Sequence, residues 1–523
     1  MDPIVHSTRV ATRGASETQA PRLIITSILA LAVLAAGVAT VLRVEGSHAQ
    51  PVVRAAVLAR QPAAGVSVLP GSPAATAAQL AGLLFARTPA VVVGNAASAA
   101  DVAAAAAVAG REHAPLLLSP AAGSAADRAA LRAAIRSLHP TAVLAAGLPA
   151  AALSADLPGV RVVASARSLP PTKPAAPVRQ VALLVPAAPG TGPALAVAVA
   201  ATARAAGAQV ITLTRDDPRA DPAAIEALAA TKPVTVVGIG AGLGAASLLA
   251  ARVAVAETGV QLPGGGQVLF PGHEIVALYG TPSYPALGAL GQQGLQASIA
   301  RAKAVAAQYD SLTTVPVVPA FEIIATVASA GPGPDGDYSQ VIGPAALLPW
   351  VEAASKAGLY VTLDLQPGRA NFLAQAKLYQ SLLELPNVGL ALDPEWKLQP
   401  GQLPLQQIGS VSIAEVNSVV TWLAALTATY HLPQKLLELH EFRLSMLQNI
   451  QQLDTSNDDL AIVINMDGQG APSSKRQTWQ AVVAGAPKGV FFGWKDFYVK
   501  DTPMLGPEQT IAHDPAPVII SYQ

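Results

Sequence analysis

Eight short apolar runs recur between residues 272 and 523, and segments with helical periodicity separate most of them. Strands that alternate with helices pair in parallel, and eight such units over about 250 residues form a closed (β/α)8 barrel of the TIM type. The sequence pattern of the C-terminal half therefore predicts a TIM-like barrel. Its strands are expected at 274–280, 315–321, 360–365, 388–393, 435–440, 461–466, 489–494 and 518–522, with helices such as 295–307, 369–383, 413–429 and 474–483.

The distribution of aromatic residues predicts a domain boundary near residue 270. All five tryptophans and all nine tyrosines follow it, whereas alanine, valine, leucine and glycine dominate the preceding region. Three consecutive glycines at 264–266 supply turn chemistry just before the change, and a proline-rich segment at 169–174 divides the Ala-rich region itself. The expected domains are a linker at 43–65, a first repeat at 66–168, a second repeat at 179–262 and the barrel at 272–523.

The two Ala-rich parts follow the same order of strands and helices. Each has an apolar strand, an Ala-rich helix, a second strand, another helix and a third strand. The strands are 90–94, 115–119 and 140–147 in the first part, and 181–185, 210–214 and 233–240 in the second. This internal duplication predicts two Rossmann-like repeats, each with a parallel sheet and covering helices.

The first repeat resembles the cell wall-binding repeat 2 family of surface proteins, most clearly over residues 114–157. There an apolar strand ending at Ser119, a short acidic-capped helix, a second strand ending at Gly147 and an Ala-Ser segment recur in the family's order. Family members usually carry three tandem copies and a second glycine after the strand, where this chain has Leu148. The resemblance implies a Rossmann-like module outside the membrane that attaches to cell-wall polymer.

A glycine run at 238–244 allows two interpretations. Gly240, Gly242 and Ala245 follow a predicted strand and open a helix, which satisfies a relaxed dinucleotide-binding fingerprint. However, the run follows the third strand of its repeat, whereas a nucleotide fold carries the fingerprint in its first βα turn. The second interpretation is a tight structural turn, and no cofactor is expected.

Residues 23–42 carry no charge and are long enough for a helix that crosses a bilayer core of about 30 Å. Arginines precede the segment at positions 9, 13 and 22, which predicts a signal-anchor with residues 1–22 in the cytoplasm and the bulk of the chain outside. A secreted protein cleaved near residues 47–49 and a buried helix of a soluble protein are the alternatives. The chain has no cysteine, which excludes disulfides, thiol catalysis and thiolate metal sites.

Polar side chains end several of the predicted barrel strands. The fourth strand ends Asp393-Pro394-Glu395-Trp396, so the two carboxylates fall on one face of the strand. Barrel enzymes carry their chemistry at the C-terminal ends of the strands, and a solvated helix face would scatter such residues at a period of 3.6. The residues expected to form one site are Tyr279, Asp364, Gln366, Asp393, Glu395, Trp396, His440, Glu441, Asp467, Gln469, Trp494, Asp496 and Tyr522.

Carboxylates beside aromatic rings are typical of a carbohydrate site. Aromatic faces stack on pyranose rings, and paired acids protonate a leaving oxygen and stabilise an oxocarbenium ion. The domain resembles glycoside hydrolase barrels in architecture, although no motif matches a named family. Glu395 is the predicted general acid, with Asp393 or Asp364 as its partner and Asp467 as the next choice. The strand spacing does not decide between retaining and inverting mechanisms.

Simpler interpretations exist for single residues. Asp393 could cap a turn before Pro394, His440 could be a satisfied core histidine, and Glu441 and Asp496 could face solvent.

No metal is predicted, because His-Glu-x-x-His does not occur and the histidines are scattered. Oxygen-only coordination of calcium or magnesium by Asp364, Asp393 and Asp467 stays open. Zero net charge and a charged content of 13% argue against a nucleic-acid partner. The sequence thus predicts a membrane-anchored surface protein whose barrel hydrolyses or binds a cell-envelope polysaccharide. A non-catalytic wall-binding protein and an envelope assembly factor are the alternatives.

Overall fold

The computed structural model describes residues 54–187, 192–282 and 284–523. The predicted membrane segment at 23–42 lies outside these residues, and within them no helix is long and apolar enough to span a bilayer. The described chain contains two four-stranded parallel sheets and, after them, a closed barrel of eight parallel strands.

The N-terminal half carries the strands of the two open sheets and the helices that cover them. The strands are β1 (Gly65–Leu69), β2 (Ala90–Gly94), β3 (Leu116–Leu118), β4 (Ala142–Ala146), β5 (Val162–Val163), β6 (Val181–Pro186), β7 (Gln209–Leu213) and β8 (Thr235–Ile239). The helices are α1 (Pro73–Leu84), α2 (Ala99–Arg111), α3 (Ala125–Leu138), α4 (Ala150–Asp156), α5 (Pro193–Ala206), α6 (Pro222–Thr231) and α7 (Ala246–Ala256). Two short strand pairs, Ala55–Ala56 with Thr172–Lys173 and Leu58–Ala59 with Phe85–Arg87, flank this half.

Short polar residues start several of these helices. Ser98, Ser124 and Asp221 each accept a hydrogen bond from a backbone N–H in the first turn of α2, α3 and α6, which satisfies a donor that the helix itself leaves free. Proline stands in the first turn of α1, α5 and α6, where no hydrogen bond from its nitrogen is needed. The long alanine runs of this region therefore form helices with defined ends.

The first three strands have the same order in the two sheets, as the internal duplication leads one to expect, and the fourth strand differs. The first sheet runs β3-β2-β4-β5 and the second runs β7-β6-β8-β1, with all neighbours parallel. Residues 66–69 were expected to begin the first repeat, but β1 pairs with β8 in the sheet of the second repeat. The helix α1 that follows packs against both α3 and α5, so this segment joins the two repeats.

The glycine run at 238–244 forms a tight turn. Gly240 has a φ of 100° and Gly244 a φ of 80°, values that favour glycine over other residues. A side chain on Gly242 would meet the carboxylate of Asp216 at 2.2 Å. This carboxylate would repel a pyrophosphate, and the backbone conformation by itself accounts for the glycines.

The C-terminal half forms the predicted barrel. Its strands are β9 (Glu274–Gly280), β10 (Val317–Ala328), β11 (Tyr360–Leu365), β12 (Val388–Leu392), β13 (Lys435–His440), β14 (Leu460–Met466), β15 (Phe491–Asp496) and β16 (Ile519–Tyr522). The helices are α8 (Leu295–Ala306), α9 (Pro344–Lys356), α10 (Phe372–Leu378), α11 (Gln380–Leu383), α12 (Ile413–Thr429), α13 (Pro472–Gly485) and α14 (Pro507–Ile511). Each strand pairs with its neighbours in chain order, and β9 pairs with both β10 and β16, which closes the barrel.

Two connections depart from a regular (β/α)8 pattern. The strand β10 continues to Ala328, beyond the expected end at residue 321, and pairs there with an antiparallel strand, Ser339–Val341. After β13, the described chain has a short strand, Leu447–Gln448, and a 3₁₀ turn, Ile450–Gln452, in place of an α-helix.

The barrel interior changes in character along its axis. At the N-terminal ends of the strands it is filled by apolar side chains, which include Ile275, Val318, Tyr360, Leu436, Val463 and Ile519. Alternate residues such as Leu363, Leu390 and Leu437 point outward and pack under the helices. Nearer the C-terminal ends, the inward positions become polar and charged, and this change places the candidate site.

The second repeat contacts the N-terminal end of the barrel. Asp458, which precedes β14, accepts hydrogen bonds from Arg219 and Arg252 of the second repeat, with Arg252 at 2.8 and 2.9 Å. Gln434, just before β13, donates to the backbone near β14 and receives a hydrogen bond from Leu269. The C-terminal end of the barrel is on the side away from these contacts.

Candidate functional site

A cavity of about 400 Å³ opens at the C-terminal ends of the barrel strands. Most of the predicted site residues line it, namely Tyr279, Gln366, Asp393, Glu395, Trp396, Asp467 and Gln469. The loops add apolar and basic side chains, which include Leu287, Leu405, Phe442, Phe497 and Lys500. The cavity thus combines carboxylates from the strand ends with aromatic and aliphatic walls.

Three carboxylates converge in this cavity. One oxygen each of Asp393, Glu395 and Asp467 lies within 4.8 Å of the others. Asp393 and Asp467 are buried, whereas Glu395 is partly exposed. The acids of β12 and β14 therefore meet at one place, as the strand-end pattern predicts.

The turn after β12 holds Glu395 in position. Asp393 accepts a hydrogen bond from the Glu395 N–H at 3.2 Å, so Asp393 caps the turn as well as lining the cavity. The N–H of Gly409 donates to the Glu395 carbonyl at 2.7 Å. A side chain on Gly409 would lie within 2.6 Å of the carbonyls of Pro394, Glu395 and Lys397, so only glycine permits this close approach.

His440 connects two buried acids beneath the cavity. Its Nδ1 lies 3.2 Å from Asp467 Oδ2, and its Nε2 lies 2.9 Å from Glu322 Oε1. Burial opposes a charged imidazole, but Asp467 and Glu322 outweigh it and raise the pKa of His440 well above its usual value. His440 is therefore placed as a cation between two buried acids, rather than as a core histidine satisfied by a backbone group.

The three carboxylates of the cavity differ in protonation. Burial would raise the pKa of Asp467, but the charge and hydrogen bond of His440 and the charge of Lys495 lower it below its usual value. Burial, together with the charge of Asp467, raises the pKa of Glu395 to about 7. Burial and the neighbouring Asp364 raise the pKa of Asp393 well above its usual value. Their surroundings thus favour the ionised form of Asp467 and the protonated form of Asp393.

Asp364 lies beside the cavity without lining it in the described structure. It is fully buried, and the Tyr279 hydroxyl donates to its Oδ2 at 2.8 Å. Burial raises the pKa of Asp364 to about 6. Gln366 donates to the Tyr279 oxygen at 3.3 Å. Asp364 therefore orients Tyr279 and is not placed to contact a ligand directly.

Glu441 is buried rather than facing solvent. It is 1% exposed, and neither carboxylate oxygen has a hydrogen-bond partner among the described residues. Burial, together with the charge of Asp467, raises the pKa of Glu441 to about 8. At neutral pH, Glu441 is therefore mainly protonated.

Three predicted site residues point outward from the barrel. Trp494 packs on Trp479 and His513 and donates to Asp496 at 2.7 Å, and Asp496 is buried there rather than solvent-exposed. The Tyr522 hydroxyl lies 2.6 Å from that of Tyr309 in the layer under α8. These side chains hold the barrel to its helices and do not line the cavity in the described structure.

Several inward-facing residues were not predicted from the sequence. Lys495 lines the cavity between the outward Trp494 and Asp496, and its ammonium lies 3.2 Å from the centroid of the Tyr279 ring. Deeper in the barrel, Glu438 accepts a hydrogen bond from Asn465, and burial with the charge of Glu322 raises the pKa of Glu438 to about 8. Glu438 and Asn465 lie two residues before His440 and Asp467, so strand alternation could have identified both.

A divalent cation would fit the spacing of Asp393, Glu395 and Asp467, which is that of a ligand set. However, Lys495 and the His440 imidazolium already supply positive charge to these carboxylates. A cation here would be repelled by both groups. A second cluster of possible metal ligands consists of Glu322, Glu438 and His440. It has no space for an ion between Glu322 and His440, because the two side chains contact directly at 2.9 Å.

Fold and site together define a (β/α)8-barrel protein with a carboxylate-rich cavity at the C-terminal ends of its strands. Comparison of the chain with family models, with curated proteins and with solved structures gives no match. The resemblances to cell wall-binding repeats and to glycoside hydrolase barrels therefore stay predictions, and the site geometry carries the functional argument.

Proposed function

We propose that the barrel is a glycoside hydrolase that cuts a cell-envelope polysaccharide, with Glu395 as the general acid and Asp467 as its partner carboxylate. One observation carries the proposal: two carboxylates lie within 4.8 Å of each other in one cavity, and their surroundings move their pKa values in opposite directions. Such a pair provides one acid that holds a proton and one base that stays ionised, which glycoside hydrolysis needs.

The structure supports Asp467 over the two partners that the sequence favoured. Asp364 is engaged by the Tyr279 hydroxyl and does not line the cavity in the described structure. Asp393 lines the cavity, but the pKa of its carboxyl is raised and the group caps the turn that carries Glu395. Asp467 is the one carboxylate of the cluster whose pKa is lowered.

The lining of the cavity suits a sugar. Trp396, Phe442 and Phe497 provide apolar surfaces of the kind that stack on pyranose rings. Gln366, Gln469 and Lys500 provide hydrogen-bond donors for hydroxyl groups. The lining is more polar than apolar, and its hydroxyl, amide, carboxylate and ammonium groups are those that the hydroxyl groups of a glycan can bind.

The envelope location rests on the sequence. The uncharged segment 23–42 supports a membrane anchor or a cleaved signal peptide, and the resemblance of the first repeat supports attachment to wall polymer. The second repeat contacts the N-terminal end of the barrel, which leaves the cavity accessible to a long chain. We therefore propose a surface enzyme whose repeats hold the wall while the barrel cuts a polysaccharide, with no nucleic-acid partner.

The substitution Glu395→Gln tests the proposal. It removes the proton that the leaving oxygen needs but keeps the shape of the side chain, so we expect release of reducing ends to fall by about 10² to 10⁴-fold. Polysaccharides of the envelope, including peptidoglycan glycan strands and wall teichoic or arabinogalactan polymers, serve as the panel. Pull-down on the cleaved polymer should remain at the wild-type level.

The matched control is Glu352→Gln, which changes an exposed glutamate on α9 far from the cavity and should leave activity unchanged. Equal activity of Glu395→Gln and wild type would remove Glu395 as the acid. Binding without turnover by the wild type would favour a non-catalytic wall-binding protein. Neither binding nor turnover across the panel would favour an envelope assembly factor.

A further inference from the structure

We infer that this site works by double displacement with retention at the anomeric carbon, and that Asp467 is the nucleophile. The inference rests on the proposed function and adds the stereochemical course and the identity of the attacking group. It is carried by the short separation of Glu395 and Asp467 and by the positive groups that hold the Asp467 carboxylate. The sequence left both mechanisms open.

The separation of the two carboxylates points to retention. Retaining glycosidases hold their carboxyl groups about 5–5.5 Å apart, whereas inverting enzymes need about 6.5–9.5 Å to admit a water opposite the leaving group. One oxygen of Glu395 and one of Asp467 lie within 4.8 Å of each other, so the two carboxyl groups are nearer to the retaining arrangement than to the inverting one. In the retaining arrangement, Asp467 attacks the anomeric carbon directly while Glu395 protonates the glycosidic oxygen.

The positive charges of His440 and Lys495 support Asp467 both as the nucleophile of the first step and as the leaving group of the second. His440 Nδ1 lies 3.2 Å from an Asp467 oxygen, and His440 Nε2 lies 2.9 Å from a Glu322 oxygen on the other side of the ring. Lys495 lines the cavity and lowers the pKa of Asp467 through its charge. These cations keep Asp467 ionised before attack and stabilise it as the carboxylate that leaves in the second step. His440 and Lys495 are positioning residues in this assignment.

In the first step, an Asp467 oxygen forms a bond to the anomeric carbon. The bond from that carbon to the glycosidic oxygen breaks, and this oxygen takes the proton of Glu395, which releases the first sugar fragment. In the second step, Glu395 removes a proton from water and the water oxygen bonds to the anomeric carbon. The ester to Asp467 breaks, which restores the Asp467 carboxylate and a protonated Glu395, so the balance is one water per cut.

The first measurement is the configuration of the new reducing end, recorded by proton NMR within minutes of adding wild-type protein to a polymer that it cleaves. We expect the anomer with the configuration of the cut bond to appear first and the other to grow by mutarotation. Initial appearance of the opposite anomer would overturn the inference while leaving the proposed function in place. Failure to release reducing ends from any polymer would instead remove the proposed function.

The second measurement identifies the nucleophile. Wild-type protein is incubated with activated 2-deoxy-2-fluoro glycosides of glucose and galactose and with activated 5-fluoro glycosides of N-acetylglucosamine and N-acetylgalactosamine, and the mass gain of one fluoro-sugar is mapped by peptide mass spectrometry. We expect the label on Asp467. A label on Asp393, or no label with a probe that inactivates the enzyme, would overturn the assignment of Asp467.

Azide provides an independent check that does not depend on the fluoro-sugar. With Glu395→Ala, azide should restore cleavage at least tenfold and give a glycosyl azide of the original configuration, because azide replaces water in the second step. With Asp467→Ala, azide should act in place of the nucleophile and give the opposite configuration. Far-ultraviolet circular dichroism confirms that both variants fold, and the reverse pattern of azide products would exchange the two roles.

Discussion

His440 sets the charge of the residue that we propose as nucleophile. The imidazolium lies between Asp467 and Glu322, and all three side chains are buried. An opposite charge at this distance lowers a carboxyl pKa by about 1–3 units. The ionised state of Asp467 at mildly acidic pH therefore depends on a histidine that does not itself line the cavity.

The substitution His440→Gln is expected to move the acidic limb of activity to higher pH. Without the imidazolium, the pKa of Asp467 rises, so the limb of the kcat/KM profile should shift upward by about 1–3 pH units. The profile is measured on the cleaved polymer, with thermal unfolding as a check on folding. An unchanged acidic limb in a folded variant would contradict the role assigned to His440.

The sequence predicted the centre of the site because its residues end strands. Asp393, Glu395 and Asp467 follow apolar runs, and the C-terminal ends of parallel strands meet at one rim of a barrel. Lys495 was missed because β15 reads Phe-Phe-Gly-Trp-Lys-Asp, which has no apolar and polar alternation to fix its phase. Trp494 and Asp496 were chosen on the face that turns out to pack under the helices.

At the scale of elements, the sequence predicts where a strand lies along the chain more reliably than which strand it pairs with. The eight barrel strands were expected close to their observed positions. Their pairing order was also expected, because each connection in a (β/α)8 barrel brings consecutive strands side by side. β1 was expected in the first repeat but pairs with β8, far along the chain. Local periodicity shows that a segment is a strand but carries no information on which sheet has a free edge for it.

The contact between the second repeat and the barrel depends on Asp458. Its carboxylate faces Arg219 and Arg252, and the two arginine side chains are 3% and 14% exposed. We expect Asp458→Asn to destabilise the protein by about 1–3 kcal/mol, between the values for exposed and fully buried pairs, because two nearly buried cations lose one of their two carboxylate partners and keep only Asp217. Limited proteolysis in the connection at 262–273 should become faster, and calorimetry should show the repeats and the barrel unfolding more separately.

The control for this contact is Asp310→Asn, which neutralises an exposed aspartate after α8. It removes the same charge and should change neither the proteolysis rate nor the unfolding profile. Identical behaviour of the two variants would show that Asp458 does not hold the domains together.

At the scale of the whole molecule, the buried acids make stability depend on pH. The pKa values of Glu438 and Glu441 are each raised to about 8 and that of Glu395 to about 7, with burial as the first cause. Between about pH 4.5 and 8, the unfolded chain has released these protons while the folded protein keeps them. The folded state therefore binds more protons over this range, and the free energy of unfolding falls as pH rises.

We expect the melting temperature to decrease by at least about 5 °C from pH 5 to pH 8, measured by calorimetry. One pKa unit corresponds to about 1.4 kcal/mol per group, so several raised groups together give a measurable loss. The double variant Glu438→Gln and Glu441→Gln should flatten this dependence, because neither amide releases a proton. A wild-type melting temperature that rises from pH 5 to pH 8 would contradict the protonation of the barrel interior.

The pairing of β1 with β8 of the second repeat limits how the chain can be divided for experiments. A fragment that begins at residue 179 contains the sequence of the second repeat but lacks β1, so the edge of β8 would be left open for pairing with other chains. A fragment that ends at residue 168 has the opposite fault, because its β1 has no sheet to join. The smallest piece that keeps every described strand with its partner starts no later than residue 55 and includes both repeats.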